Sequence, residues 1–249
     1  MEFEVLGPLR VRTGRAQAAL SAMMPRTLLA ILLTKANTTV AVDVLVDALW
    51  AGKRDPRATK NLQLHIHRLR RTLDDPARIR FEHGGYTLRV APGELDAERF
   101  ETALAESSAT AEPAGAAALL RIALGLWRGD PFGGVADVPP VRAEIDRLTE
   151  RRLAGLEELY AAELACGHAG VIVPGLGELA TRYPLRERLQ GLLMTALCQA
   201  GRRADALNVY HRTRATLVDE LALEPGPDLQ RLEHAILTGD PALQTGGIS

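Results

Sequence analysis

Hydrophobic and polar positions change their period several times within the first ninety residues. Residues 3–12 alternate apolar and polar side chains around a Gly-Pro pair, which predicts a short hairpin or meander. Leucine and isoleucine then follow Pro25 at helical spacings and predict a mostly buried helix that stops near Asn37. A shorter apolar-periodic segment, residues 42–50, predicts a second helix that ends at Gly52.

A third helix is predicted over residues 57–73, and its two faces differ strongly. At about 100° per residue, four apolar side chains fall on one stripe that can pack on a core: Leu62, Ile66, Leu69 and Leu73. The opposite face carries cations, a histidine and one leucine: Arg57, Lys60, Leu64, His67, Arg68 and Arg71. The apolar side therefore anchors the helix, and the basic side is left for solvent or for a partner.

Residues 79–90 form two β-rich arms around Gly84-Gly85, which predicts a hairpin. From Asp96 onward the strand patterns end and helical patterns replace them, with residues 91–93 as the junction. The order of strands, helix, helix, basic helix and hairpin is that of a winged helix-turn-helix domain, in which the third helix enters the major groove of DNA.

The helical part repeats at an offset of 34 residues, the period of tetratricopeptide helix pairs. The matching positions are Leu159 with Leu193, Leu164 with Cys198, Gly167 with Gly201, Val173 with Leu207 and Leu176 with Tyr210. The paired glycines are predicted at turns between helices. We therefore predict a mainly α protein, with a winged helix-turn-helix domain of three helices and small β-sheets over residues 1–92 and an all-α tetratricopeptide-like domain over residues 93–249.

The formal net charge of −1 conceals an asymmetry between the two halves. Residues 1–92 carry 15 Lys and Arg against 8 Asp and Glu, whereas residues 93–249 carry 15 against 23. A basic module beside an acidic one suggests a polyanion as the partner of the first and a protein as the partner of the second.

Composition narrows the class of protein further. The hydrophobic fraction of 47% and charged fraction of 24% are those of an ordinary globular chain. No apolar run approaches the roughly 18 residues of a membrane helix, and the acidic N-terminus does not resemble a signal peptide, so we expect a cytoplasmic protein without membrane contact. Cys166 and Cys198 lie in apolar helical settings and are expected to be buried structural thiols.

An enzyme is the first alternative. The chain has no Gly-rich phosphate loop, no Gly-x-Ser-x-Gly elbow and no His-Glu-x-x-His zinc pair. His65 and His67 are two residues apart on a predicted helix, so their side chains diverge instead of sharing a metal ion. We therefore expect no enzymatic activity, no cofactor and no metal.

A helical-repeat scaffold that binds other proteins is the second alternative, and the basic helix would then be a solvated cap. The hairpin favours DNA binding instead, because Arg78, Arg80, His83 and Arg89 make a basic wing that can lie along the minor groove or the backbone. Several arginines of the helical half are open to either a structural or a surface role: Arg186, Arg202 and Arg214.

Double-stranded DNA is therefore the expected partner of the basic half. Arginine binds guanine bidentately, cations neutralise phosphates, and the outward Leu64 can meet thymine methyl groups. The side chains expected to contact DNA are Arg57, Lys60, Asn61, Gln63, Leu64, His65, His67, Arg68, Arg70, Arg71, Arg80 and His83.

Residues 61–73, followed by Gly85-Tyr86, resemble the recognition helix and wing of OmpR/PhoB-type winged-helix domains. Together with residues 3–11, Asp-Ala-Leu-Trp at residues 47–50 and the acidic half, the chain is similar to the Streptomyces antibiotic regulatory proteins. Their second half is a bacterial transcriptional activation domain. Further matches are Leu-Trp-Arg-Gly-Asp-Pro at residues 126–131, Tyr-Pro-Leu-Arg-Glu-Arg-Leu-Gln at residues 183–190 and Glu-Pro-Gly at residues 224–226.

The resemblance implies roles for individual residues. Arg68 matches the position that reads bases, and His65 and Arg70 match positions that contact the DNA backbone. Three residues depart from the family pattern, since His67 replaces a frequent arginine, and Glu82 and Thr87 occupy wing positions that are often basic. His83 or Arg80 would then have to make the minor-groove contact of the wing.

The resemblance also implies the target genes, the DNA site and the protein partners. It implies a pathway-specific activator of antibiotic biosynthesis genes that binds direct repeats in promoter DNA as a side-by-side homodimer. It further implies contact with the RNA polymerase holoenzyme.

Overall fold

The computed structural model describes residues 1–14, 16–17, 20, 22–50 and 56–240. The chain divides into two compact units. The first unit comprises Met1–Ala105 and Ile122–Arg152, and the second comprises Glu106–Arg121 and the chain from Leu153 onward. These units are defined by packing, and their limits do not coincide with the boundary at residue 92 that the sequence predicts. The division into domains at residues 1–92 and 93–249 stays a prediction.

The first unit begins with a three-stranded antiparallel meander. Its strands are β1 (Glu2–Glu4), β2 (Arg10–Thr13) and β3 (Ala16–Gln17), in the order β1-β2-β3. Phe3 lies opposite Val11, and both side chains are fully buried. The alternation in the sequence therefore predicted this meander correctly, because one face of each strand covers the core.

Three helices and a second small sheet follow, as the sequence predicted. The elements are α1 (Met23–Thr34), β4 (Val40–Ala41), α2 (Val42–Trp50), α3 (Ala58–Thr72), a short 3₁₀ turn (Pro76–Arg78), β5 (Ile79–Glu82) and β6 (Gly85–Leu88). The strand order is β4-β6-β5, all antiparallel. The first helix stops three residues before the predicted limit, because the chain reverses through Asn37 at a φ of 63°.

The turn of the β5–β6 hairpin differs by one residue from the prediction. Its two loop residues are His83 and Gly84, with φ values of 52° and 75°, which suits a tight two-residue hairpin. Gly85 instead opens β6, where a Cβ atom would lie 2.3 Å from the carbonyl oxygen of Val40. Gly85 is therefore needed for the close approach of β4 and not for the turn.

The N-terminal sheet is completed by segments far along the chain. Phe3 donates its amide to Glu94, and the amides of Arg128 and Phe132 donate to the carbonyls of Leu6 and Val5. These distances are 2.7, 2.7 and 2.8 Å. The Leu-Trp-Arg-Gly-Asp-Pro motif is thus tied to the N-terminal sheet, because the amide of its Arg128 bonds to Leu6, which follows β1.

From Asp96 to residue 240 the described secondary-structure elements are all helices. The helices are α4 (Asp96–Ala109), α5 (Pro113–Gly125), α6 (Pro139–Ala165), α7 (Ala169–Arg182), α8 (Glu187–Gln199), α9 (Arg203–Leu221) and α10 (Pro227–Thr238). The turn glycines Gly167 and Gly201 have φ values of 79° and 74°. The predicted placement of these glycines between paired helices is confirmed, and the left-handed conformation explains why glycine occurs at both.

In the second unit, α7, α8, α9 and α10 share one apolar core. Its fully buried members include Leu176, Leu189, Met194 and Ala206. Each helix buries one face against its neighbours, as expected for stacked helical hairpins. The mainly α fold with small N-terminal sheets is therefore confirmed.

The three arginines left open by the sequence all have acidic partners. Arg186 donates from Nε to buried Glu157 at 2.6 Å, Arg214 donates to Glu224 at 2.6 Å, and Arg202 donates to Asp205 at 2.8 Å. Beside Arg186, the carboxylate of Glu187 accepts the amide of Gly226 at 2.6 Å. The run at residues 183–190 therefore connects α6, α8 and the start of α10.

Both cysteines are free thiols and are half-buried, so the expectation of buried structural thiols was wrong as regards burial. Cys166 follows the last residue of α6, and Cys198 lies one residue before the end of α8. Both cysteines are therefore at helix ends. Burial still raises the pKa of the Cys198 thiol. Within the described ranges, none of the helices combines the length and apolarity of a membrane span.

Candidate nucleic-acid interface

The helix α3 is anchored by the stripe that the sequence predicted. Leu62, Ile66 and Leu69 are completely or almost completely buried, and Leu73 at the end of the helix is buried as well. The stripe packs in the core of the first unit, where α3 contacts both α1 and α2. Because these leucines and isoleucine share one face, the rotation of the helix about its own axis is determined, and the opposite face points to solvent.

Seven of the predicted DNA-contacting side chains are exposed on or just before α3: Arg57, Lys60, Gln63, Leu64, His67, Arg68 and Arg71. Leu64 is 47% exposed, so an apolar side chain lies among cations. In the described part of the chain, Lys60, Arg68 and Arg71 have no ion-pair partner. Their charges therefore remain available to an anion.

Asn61 and His65 are half-buried at the border of this surface. The His65 ring lies 6.4 Å from the ring of Trp50, the last residue of α2. Burial, and then the charge of Arg68, lower the pKa of His65, which favours the neutral ring at neutral pH. His65 can therefore donate or accept a hydrogen bond there, but it adds little positive charge.

Arg70 has a partner inside the protein. Its Nε and Nη2 atoms both donate to the carbonyl oxygen of Ile79, at 3.0 and 2.7 Å. This fork holds the C-terminal part of α3 against β5, the first strand of the wing. The predicted backbone contact of Arg70 with DNA stays a prediction, and the structure shows a positioning role that the sequence did not reveal.

The wing residues Arg80 and His83 are exposed, with His83 in the turn. The carboxylate of Glu82 lies 4.0 Å from Arg80 and 3.6 Å from Arg89, so both cations share one acid. Thr87 is buried, and its hydroxyl lies 2.8 Å from that of Thr39. Thr87 is thus part of the sheet interior and not of the wing surface.

The base of the wing is held by an ion-pair cluster that the sequence did not indicate. Arg78 donates from Nη1 and Nη2 to the two carboxylate oxygens of Glu94, both at 2.7 Å, and from Nε to Asp74 at 2.6 Å. The hydrogen bond from Arg78 is the main cause that lowers the pKa of Glu94 to about 2. The cluster joins the end of α3, the wing and the segment before α4.

This cluster predicts a pH dependence of stability. A lowered folded-state pKa stabilises the protein above the ordinary pKa of glutamate, and that stabilisation disappears as the pH falls toward 2. We expect Glu94→Gln to lower the free energy of unfolding at pH 7 by about 2–3 kcal/mol, and the difference from wild type to shrink between about pH 5 and pH 2. Urea unfolding at stepped pH measures both effects.

Glu106→Gln is the matched control, because Glu106 is exposed and its side chain has no partner in the described residues. Its difference from wild type should be small at every pH. A Glu94→Gln difference that stays constant from pH 7 to pH 3 would show that Arg78 does not lower this pKa.

Two family models match the chain, one over the residues of this surface and one over the helical part that follows. The model described as the C terminal of transcriptional regulatory proteins matches residues 23–88, which contain α1, α2, α3 and the wing. The bacterial transcriptional activator domain matches residues 95–237. No group of three or more possible metal ligands occurs among the residues that the structure describes.

Curated relatives cover the whole chain. Regulatory protein AfsR of Streptomyces coelicolor is 40% identical over 98% of this chain, which spans a quarter of that relative's length. Regulatory protein DnrI of Streptomyces peucetius is 36% identical over 99% of this chain and 96% of the relative. Transcriptional regulator RedD of Streptomyces coelicolor is 35% identical over 98% of this chain and 72% of its own length.

A solved structure has the same fold as this chain. Mycobacterium tuberculosis EmbR, in complex with a low affinity phosphopeptide, is 29% identical and superposes with a TM-score of 0.92. The match covers 98% of this chain and 68% of that chain. With an OmpR/PhoB-type domain, a bacterial transcriptional activator domain and these relatives, the chain belongs to the Streptomyces antibiotic regulatory protein family of transcriptional activators.

Proposed function

We propose that this activator binds promoter DNA sequence-specifically by placing α3 in the major groove. The exposed and unpaired cations of α3 are the observation that carries the proposal, because Lys60, Arg68 and Arg71 lie opposite the buried stripe. A helix held in this way presents one cationic face as a rigid surface, and phosphate and guanine are the DNA groups that such a surface attracts.

The roles of individual side chains follow from their chemistry. Arg68 lies on the exposed face and binds a guanine edge through its two-pronged guanidinium group. Lys60 and Arg71 bind phosphates on either side, because single charges at the two ends of the helix meet the backbone. Leu64 packs on a thymine methyl group, which gives an exposed leucine a partner.

The proposal extends to the assembly on DNA. The protein acts in the cytoplasm as a side-by-side homodimer on direct repeats, and its helical half contacts the RNA polymerase holoenzyme. Its targets are promoters of secondary-metabolite genes, in keeping with its membership of the antibiotic regulatory family. The protein is not an enzyme and needs no cofactor for binding.

Arg68→Ala should weaken binding to the cognate site by about 1–3 kcal/mol and relax sequence preference at one base pair. Lys60→Ala should weaken all duplexes alike and reduce the log–log salt slope by about 0.9, because one phosphate contact is lost. The cognate duplex is first obtained by selection from a random pool with the wild-type chain. Kd values are then measured by fluorescence anisotropy at several salt concentrations.

Arg231→Ala is the control, since Arg231 is exposed on α10 and its ion-pair partner is the nearby Asp228. This variant should bind as wild type does. Unchanged specificity in Arg68→Ala would remove Arg68 from the base-reading role. A wild-type chain that selects no duplex would contradict DNA binding altogether and favour a protein-binding scaffold.

A further inference from the structure

Phe81 lies in the wing with 58% of its side chain exposed. The edge of its ring contacts Tyr86, with ring centroids 5.1 Å apart and an angle of 62° between the planes. Single exposed apolar side chains are common on protein surfaces and have no functional meaning by themselves. The case for a function of Phe81 depends on its position in the sheet and on its charged neighbours.

The strand register places Phe81 at the outer edge of the core-covering face. Phe81 lies opposite Tyr86, and Ile79 lies opposite Leu88. Because side chains alternate along a strand, these four share one face of the hairpin. Ile79, Tyr86 and Leu88 are buried, whereas Phe81, closer to the turn, extends past the covered region. Arg70 bonds to Ile79 on the same strand, so Phe81 follows directly after the point where the wing joins α3.

The cations of the wing are engaged by acids. Arg80 and Arg89 lie within 4.0 and 3.6 Å of Glu82, and Arg78 is held by Asp74 and Glu94. Each described arginine of the hairpin and its base therefore has an acidic neighbour. The described wing thus combines acid-paired arginines with an exposed phenylalanine, one of the apolar side chains that minor-groove binders use.

We propose that Phe81 is the principal DNA-contacting residue of the wing and packs its ring against deoxyribose at the edge of the minor groove. The inference rests on the proposed DNA-binding function of α3 and deepens it. Deoxyribose exposes apolar C–H surface, and phenylalanine is among the apolar side chains used in the minor groove. The Phe81–Tyr86 contact holds the ring, so little side-chain entropy is lost on binding.

This contact has a signature that a charged contact lacks. Sugar is present at every step of the duplex, so Phe81 adds affinity without sequence preference. An apolar contact also releases no counterions, so its loss leaves the dependence of log Kd on log salt unchanged, whereas loss of a phosphate contact reduces that slope.

The test uses the full chain and a duplex with a single copy of the selected site. Phe81→Ala should raise Kd about fivefold to thirtyfold on selected and unrelated duplexes alike, with the wild-type salt slope. Phe81→Leu keeps most of the apolar area and should stay within about threefold of wild type. Val44→Ala shortens another exposed apolar side chain, on α2, and should bind as wild type does.

Thermal unfolding of each variant checks the fold, and Phe81→Thr, with a strand-forming side chain, replaces Phe81→Ala if the alanine variant does not fold. Wild-type affinity in Phe81→Ala, or in Phe81→Thr where it takes its place, would overturn the proposal, as would a salt slope reduced by the amount of one phosphate contact. An effect seen only on a duplex with two repeats would assign the ring to a contact between protein copies instead. If wild type binds no duplex, the proposed function fails; if wild type binds and Phe81→Ala or Phe81→Thr binds equally well, only the role of Phe81 fails.

Discussion

A fragment that ends at residue 92 is expected to lose its N-terminal sheet, although it contains the complete winged helix-turn-helix pattern. Phe3, Val5, Leu6 and Leu9 are buried in the intact first unit. Their backbone groups bond to chain beyond residue 92, because Phe3 bonds to Glu94, and the others bond to the segment from Arg128 to Gly133. Removing this segment exposes the apolar side chains and breaks at least four backbone hydrogen bonds.

The expected loss is large relative to the stability of a small domain. Each backbone hydrogen bond contributes about 1 kcal/mol, and the apolar side chains contribute more, so the total of about 5 kcal/mol or more compares with a typical stability of 5–15 kcal/mol. Chemical-shift dispersion of the residues in β1 and β2, with urea unfolding, measures the effect. The fragment should also bind the selected duplex more weakly than the intact chain.

A fragment that ends at Arg152 is the control, because it retains every residue of the first unit. It should keep the sheet and the urea midpoint of the first unit. Equal midpoints for the two fragments would show that the segments around Glu94 and Arg128 are dispensable, and would support the predicted boundary at residue 92.

Asp96→Ala should lower the free energy of unfolding by about 3–5 kcal/mol. The side chain of Asp96 is 2% exposed, and its carboxylate accepts the amides of Val5 at 2.7 Å and Leu6 at 3.1 Å and the guanidinium of Arg128 at 3.3 Å. Alanine leaves these donors without the acceptor that compensates them inside the protein. Urea unfolding at pH 7 measures the change.

The pH dependence of Asp96 has the opposite sign to that of Glu94. Burial raises the pKa of Asp96, and its hydrogen bonds from Val5, Leu6 and Arg128 oppose that shift. The folded state therefore holds the Asp96 proton more readily than the unfolded state, and this titration lowers stability as the pH rises just above the ordinary aspartate range.

Asp130→Ala is the matched control, because Asp130 is exposed in the same unit and its carboxylate has no partner among the described residues. Its effect should stay within about 0.5 kcal/mol. If Asp96→Ala and Asp130→Ala lowered the free energy of unfolding equally, the carboxylate of Asp96 would not be the group that holds the loop after β1.

Much of the candidate interface could be predicted from periodicity. The pattern identified α3 and its two faces because burial depends on the position of a residue around its own helix, and Leu62 and Ile66 are indeed buried while Arg68 and Lys60 are exposed. The same reasoning applied to β5 places Phe81 on the face of Ile79. That alternation is the signal in the sequence that points to Phe81, whereas charge points to Arg80 and His83.

The partners of charged groups could not be predicted in this way. The sequence predicted Arg70 and Arg78 as DNA-facing cations and gave no role to Arg128, yet each donates to a defined acceptor. Arg128 is 32 residues from Asp96 along the chain, and Asp96 is 91 residues from Val5. No local pattern carries such information, because a hydrogen bond depends on where two distant segments meet.

The amino-acid order by itself determined the kind and sequence of the elements, the buried stripe of α3 and the concentration of positive charge in the first ninety residues. The tertiary structure decided which arginines remain free, which glycine serves the turn, and how far the first unit extends beyond the wing. The reason is physical: apolar burial is a property of one side chain and its own element, whereas the fate of a charge depends on the partner that folding brings within about 3 Å of it.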